Sequence, residues 1–160
     1  MKSISLYLLC TLLAASAMGQ QKTLMDPGKQ PYVLVDTFRT DMKSLVLSPG
    51  KIESINVLKD SNALQAYGNK AKYGAVIVKT KPNTELHRLG DLLDQYKVSD
   101  NDRKLRVSIN QVLISNPELI LIDPAEVLAV ETITGQQLIN SGDQNNDEKF
   151  LNIKTIRKEK

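Results

Sequence analysis

Hydrophobic positions follow two rhythms along this chain. Leu6 to Ala15 is apolar almost without interruption, whereas from Tyr32 onward the apolar residues fall into short periodic runs. Tyr32-Val-Leu-Val-Asp36 and Leu105-Arg-Val-Ser-Ile109 read as strands, and Asn110-Gln111 reads as a turn into Val112-Leu-Ile114. Ile55 and Val57 share one face of a further strand, as do Val130 and Thr132. Ala75 to Val78 is apolar on both faces and predicts a central strand; Leu151-Asn152-Ile153-Lys154 alternates and predicts a half-exposed or edge strand. Leu86, Leu89, Leu93 and Tyr96, at three- and four-residue spacing, predict a helix capped by Thr84 and ended by the polar run Asp100 to Asp102.

The same pattern occurs twice. Leu47-Ser-Pro-Gly-Lys-Ile-Glu-Ser-Ile-Asn-Val aligns with Ile122-Asp-Pro-Ala-Glu-Val-Leu-Ala-Val-Glu-Thr, and the shift that carries Pro49 to Pro124 also carries Val76 to Leu151, Val78 to Ile153, Lys79 to Lys154 and Thr80 to Thr155. A constant offset across separate blocks suggests duplication. In each copy the block predicts a short helical turn, with proline at its first position and Ser48 or Asp123 as the cap. Leu47 with Ile52, and Ile122 with Val127, stand where a hydrophobic staple forms; Glu126 stands where a capping-box carboxylate belongs. The expected fold is α+β, with two tandem units of mixed β-sheet and short helices, at 32–81 and 105–156, joined by an amphipathic helix and loop at 82–104.

Charge and the first rhythm decide the setting. Lys2, the apolar run and the small residues around Ala17-Met18-Gly19 form the three zones of a secretory signal over residues 1–19. That run is shorter than the roughly 20 apolar residues a spanning helix needs, and no later segment approaches that length. An exported mature chain without a transmembrane segment is therefore expected, periplasmic or outer-membrane-associated, or else secreted. Cys10 follows Leu8-Leu9, which does not fit a lipid-anchoring site, and as the single cysteine it leaves with the signal. The remainder then has no disulfide, thiol nucleophile or thiolate metal site. Residues 20–31, with Pro27, Gly28 and Pro31, read as a leader, and 157–160 as a basic, solvated tail. The chain carries a formal charge of +3, mixed in sign throughout, which gives no nucleic-acid footprint.

Ile52-Glu53-Ser54-Ile55-Asn-Val57-Leu58-Lys59-Asp60, followed by Ala63, Ala66-Tyr67-Gly68 and Gly74-Ala-Val76-Ile-Val78-Lys-Thr80-Lys, forms an ordered series of blocks, opened by the strand that ends in Asp36. This series closely resembles the plug domain of TonB-dependent outer-membrane receptors, nearest to the starch-utilisation type of transporter, over about Pro31 to Lys81. The resemblance implies a Gram-negative envelope setting and a structural role for Asp36, Ile52, Glu53, Ser54, Ile55, Val57, Leu58, Lys59, Asp60, Tyr67, Gly68, Gly74, Val76, Val78 and Thr80. Thr37 stands where the family usually has glycine, and Ala71 and Tyr73 where glycine and asparagine are common. Family members continue into a barrel of more than 20 strands, which this chain, ending at Lys160, does not carry, and residues 20–31 hold no TonB box. The second copy lacks the Tyr-Gly pair and reads as degenerate.

Residues suited to catalysis are few. His87 is the single histidine, with Asp91 four residues on as a carboxylate partner on the predicted helix. There is no serine elbow, phosphate loop or paired-histidine metal motif. Asp143, Asn145 and Asp147 alternate like the start of a calcium loop, but Glu148 replaces the glycine of the sharp turn and Lys154 the bidentate glutamate. A plain polar turn is expected there. The sequence thus predicts a non-enzymatic protein without cofactor or metal, acting by contact with an outer-membrane or periplasmic protein. A small secreted protein that captures a peptide, glycan or calcium ion between its halves is the alternative.

Overall fold

The computed structural model describes residues 29–139 and 146–156. The predicted signal sequence, most of the expected leader, residues 157–160, and Asp143 and Asn145 lie outside them. Among the described residues the fold is α+β, with three mixed or small sheets and two short helices. None of these helices is long and apolar enough to cross a membrane.

The first sheet contains β1 (Tyr32–Val35), β2 (Phe38–Thr40), β4 (Ile52–Leu58) and β5 (Ala75–Thr80) in the order β2-β1-β5-β4. Between β2 and β4 lies β3 (Leu45–Val46), and between β4 and β5 lies helix α1 (Asp60–Tyr67). Strand β5 is central, parallel to β1 and antiparallel to β4, as its two apolar faces predict. One face carries Ala75 and Ile77, which pack with Tyr32 and Leu58 against Ala63 and Tyr67 of α1. The opposite face carries Val35, Val76 and Val78 into a second core with Leu45, Leu47, Ile52, Leu86 and Leu121.

After β6 (His87–Arg88) and α2 (Leu89–Gln95), the second sheet repeats the first. It contains β7 (Arg106–Ile109), β8 (Val112–Leu113), β10 (Val127–Thr134) and β11 (Lys149–Thr155), in the order β10-β11-β7-β8. Replacing each strand by its counterpart turns one order into the other. Several connecting hydrogen bonds recur as well: Asp36 N–H donates to the Val78 carbonyl and Asn110 N–H to that of Ile153, both at 2.9 Å. Lys81 N–H to Lys51 O and Ile156 N–H to Glu126 O are also matched, again at 2.9 Å.

The third sheet ties the two copies together. Strand β9 (Leu121–Ile122), the counterpart of β3, pairs parallel to β3 on one side and antiparallel to β6 on the other. Leu121 N–H donates to Ser44 O and Asp123 N–H to Val46 O. Leu45 and Leu121 enter the core beneath the first sheet, while Val46, Ile120 and Ile122 enter the core beneath the second with Val107, Ile109, Ile153 and Leu92. The small sheet is thus a middle layer, and Ile120, Leu121 and Ile122 have no exposed surface.

Four sequence expectations change. The connecting helix starts at Leu89, later than Thr84, because Leu86 is drawn into the first core and His87-Arg88 pair with β9. Thr84 Oγ1 donates instead to Lys81 O, and the Asp91 carboxylate accepts the Arg88 N–H at 3.2 Å to cap α2. Ser48 makes no side-chain cap, whereas Asp123 Oδ1 accepts from Ala125 N–H at 3.0 Å as expected. Glu126 does not complete a capping box, since the Asp123 N–H it would serve is already donated to β3. Finally, β11 is a central strand, with Phe150 through Ile153 buried. Its polar Asn152 is internally bonded instead of solvent-facing.

Asp123 has a second role. Its side chain is 1% exposed, and Oδ2 lies 2.7 Å from Lys51 Nζ of the first copy. The approach is off the direction of a good hydrogen bond, so charge attraction more than directionality holds the pair. Removing the lysine strands a buried carboxylate, the costly half of such a pair. Lys51→Met is expected to destabilise the protein by about 2–3 kcal/mol, lessened because Lys51 is partly solvated. Adding Asp123→Asn should recover part of that loss, and urea unfolding of the single and double variants measures the coupling.

Candidate functional site

The motif residues of the first copy divide into a scaffold and an exposed strand. Asp36 has φ +52° and turns the chain between β1 and β2. Its carboxylate accepts from Thr80 N–H at 3.0 Å and from Thr80 Oγ1 at 2.7 Å, joining the ends of β1 and β5. Thr37 has no positive φ, so nothing at that position calls for glycine: the strained position falls on aspartate, which tolerates it. Tyr67 stacks on Tyr32 with ring centroids 5.4 Å apart. Gly68 ends α1 at φ +66°, ψ −160°, an extended conformation open essentially to glycine alone. Gly74 has φ +92°, and a Cβ there would lie 3.1 Å from Leu58 O. Ile52, Leu58, Val76 and Val78 fill the cores on the two sides of the sheet.

Glu53, Ser54, Ile55, Val57 and Lys59 stand apart from this scaffold, all exposed on or beside edge strand β4. Asp60 opens α1. The shared face of Ile55 and Val57 is the one that buries Val76 and Val78, but β4 extends beyond the cover, so the two side chains remain 56% and 57% exposed.

In the second copy Asn110 takes the place of Asp36. Its Oδ1 accepts from Thr155 N–H at 2.9 Å and its Nδ2 donates to Thr155 Oγ1 at 2.8 Å. The Asp36–Thr80 clamp therefore recurs with an amide in place of the carboxylate. Asn110 and Gln111 both have positive φ, 48° and 69°, and form the two-residue turn between β7 and β8. Gln111 is held in that costly conformation by its N–H, which donates to Asn152 Oδ1 at 2.9 Å. Asn152 is 2% exposed; it also accepts from Ser108 Oγ at 3.0 Å and donates to Glu131 Oε1 at 3.3 Å.

Register makes Asn152 the counterpart of Ile77 and Glu131 that of Asn56. In the first copy α1 covers this face. In the second, among the described residues, a turn at Gly135–Gln137 and buried Leu138 cover only the end carrying Ile133 and Phe150. The rest of the face forms a groove of about 330 Å³ with Asn110, Glu131, Asn152 and Lys154 among its polar lining. Leu128, Ile139 and Ile156 form its apolar lining and are 56%, 49% and 57% exposed. The sequence did not single out this groove; the absence of a Tyr-Gly pair in the second copy was its one available signal.

His87 lies on β6 and not on a helix, and pairs with Glu85 at 2.7 Å instead of Asp91, which is engaged in capping α2. Asp147 is the one described member of the calcium-like series. Among the described residues no group of three or more histidine, cysteine or acidic side chains is placed to hold a metal ion. Compared with protein-family models, curated proteins and solved structures, the chain matches none.

Two variants, with Gly90→Ala as a control, test the roles assigned to the scaffold. Gly74→Ala forces a side chain into both a positive φ and the Leu58 carbonyl, and is expected to cost about 1–3 kcal/mol. Gly90→Ala, where a Cβ meets nothing on α2, should be neutral or stabilising by up to about 1 kcal/mol; thermal melts compare them. Asn152→Ala should cost about 2–3 kcal/mol and accelerate amide exchange at Gln111, whose side-chain acceptor it removes.

Proposed function

We propose that this chain is a non-catalytic, exported protein-interaction module of the cell envelope, built on a plug-like scaffold. The observation that carries the reading is the repeated clamp: Asp36 with Thr80, and Asn110 with Thr155, engage prominent polar residues of both copies in holding strands together. The surface also carries exposed apolar side chains. Leu128, Ile139 and Ile156 are exposed together around the groove, and clustered exposed apolar residues mark contact sites more often than isolated ones do. The motif resemblance supports an envelope partner, and the predicted signal sequence supports the route there. His87 is engaged by Glu85.

A second reading rests on the groove itself, which has the volume and mixed lining of a small-ligand site. In that case it would take a short peptide or a sugar within the second copy, and not between the halves. Affinity capture from a Gram-negative envelope extract, using tagged mature protein and a Leu128→Lys variant, separates the readings. The protein-contact reading expects an envelope protein retained by the parent and at least tenfold less by the variant. No retention above control overturns it. In that event, a thermal shift with peptides or oligosaccharides that is lost in Leu128→Lys would select the ligand reading.

A further inference from the structure

Four strands form the edges of the two larger sheets, and they differ in their capacity to accept another strand. Strands β2 and β8 span three and two residues. Strand β10 is partly buried along its length, and Glu131 near its middle is tied to Asn152. Strand β4 is longer than β2 or β8 and open: its residues Glu53 to Val57 are all exposed, it pairs only with β5, and its irregularity is confined to the Ile52/Ser54 end. Lys59 beyond it keeps an extended backbone, φ −103° and ψ 148°, so the strand direction continues to that residue. An edge of this kind, without proline or an interior lysine and with two β-branched side chains exposed, is a template for strand addition.

Its sequence is complementary to itself in one register. In an antiparallel pair centred on Asn56, Ile55 of one copy faces Val57 of the other, Ser54 faces Leu58, and Glu53, at the irregular end of the strand, comes near Lys59. The last contact occurs twice, once on each side of the two-fold axis. Moving the centre to Ile55 would instead oppose Lys51 to Lys59, two like charges, and would set Glu53 against Val57. Moving it to Val57 would set Ile55 against Lys59. Opposite charges and apolar β-branched pairs directly across a ladder are stabilising, and like charges are not. We infer that β4 is the interface between two copies of this chain, paired antiparallel about Asn56 into a continuous eight-stranded sheet. The exposed Ile55 and Val57 of each copy would then cover one another, which accounts for apolar side chains that the monomer leaves in water.

This inference rests on β4 alone and is independent of the groove and of any envelope partner. Sedimentation equilibrium of the full mature chain over a concentration series tests it. The parent should dimerise, Glu53→Lys and Lys59→Glu should each weaken the dimer by roughly tenfold, since each brings like charges together at two symmetric positions, and the double exchange should restore it. Ile55→Lys should yield a monomer that keeps the parent circular dichroism spectrum. A parent that stays monomeric at about 100 μM, where a weak dimer would still be seen, overturns the proposal. So does a dimer indifferent to these substitutions, or one that the double exchange fails to restore.

Discussion

Two strands of two residues each hold this molecule together. Paired with each other, β3 and β9 place one short piece of each copy in a layer buried on both faces. A strand this short forms no stable ladder on its own. It persists because Leu45 and Leu121 complete the first core while Val46 and Ile122 complete the second. Neither copy therefore closes its own interior. Leu121 belongs to the chain of the second copy and to the core of the first, so separating the halves would expose both cores at once. The Lys51–Asp123 pair beside this layer adds a charge constraint that fixes one copy's turn against the other's.

This arrangement gives a physical reason for the block repeated around Pro49 and Pro124. The turn after each proline sets the exit of β4 or β10 immediately beyond a middle-layer strand. The prolines fit because their missing N–H lies at the start of a turn, where no partner is required. The capping differs between copies. Asp123 serves three ends, bonding Ala125 N–H with one oxygen, meeting Lys51 with the other, and donating its own N–H to Val46. Ser48 has no such demand and makes no cap.

Features that depend on local chemistry were legible in the sequence: the repeated turn, the central character of β5, the Asn110-Gln111 reversal, and the α+β class. The features that were misread depend on distant partners. Asn152 alternates with apolar neighbours, the pattern of an edge strand, yet it is buried because Ser108, Gln111 and Glu131 all converge on it. Leu86 sits in register with the helical stripe of Leu89 and Leu93, but an opening in the first core draws it out of the helix. Strands β3 and β9 are too short for any periodicity to be read. The scaffold role of Asp36 and Thr80 was available through the motif, whereas the groove emerges only when the faces of the two copies are compared.

That comparison turns on one position. Ile77 and Asn152 occupy the same place on the same strand of equivalent sheets, and their side chains call for opposite surroundings. An isoleucine on a sheet face is stabilised by cover, which Ala63 and Tyr67 of α1 help to provide. An asparagine needs partners, and it finds them within the sheet: a hydroxyl, a backbone N–H from a positive-φ turn, and a carboxylate. Once Asn152 is satisfied from the side, the face above it no longer requires an apolar lid, and Leu128, Ile139 and Ile156 are left at the rim of an open groove. The repeated sheet thus presents two outer faces: one closed by its own helix, the other, among the described residues, carrying a groove.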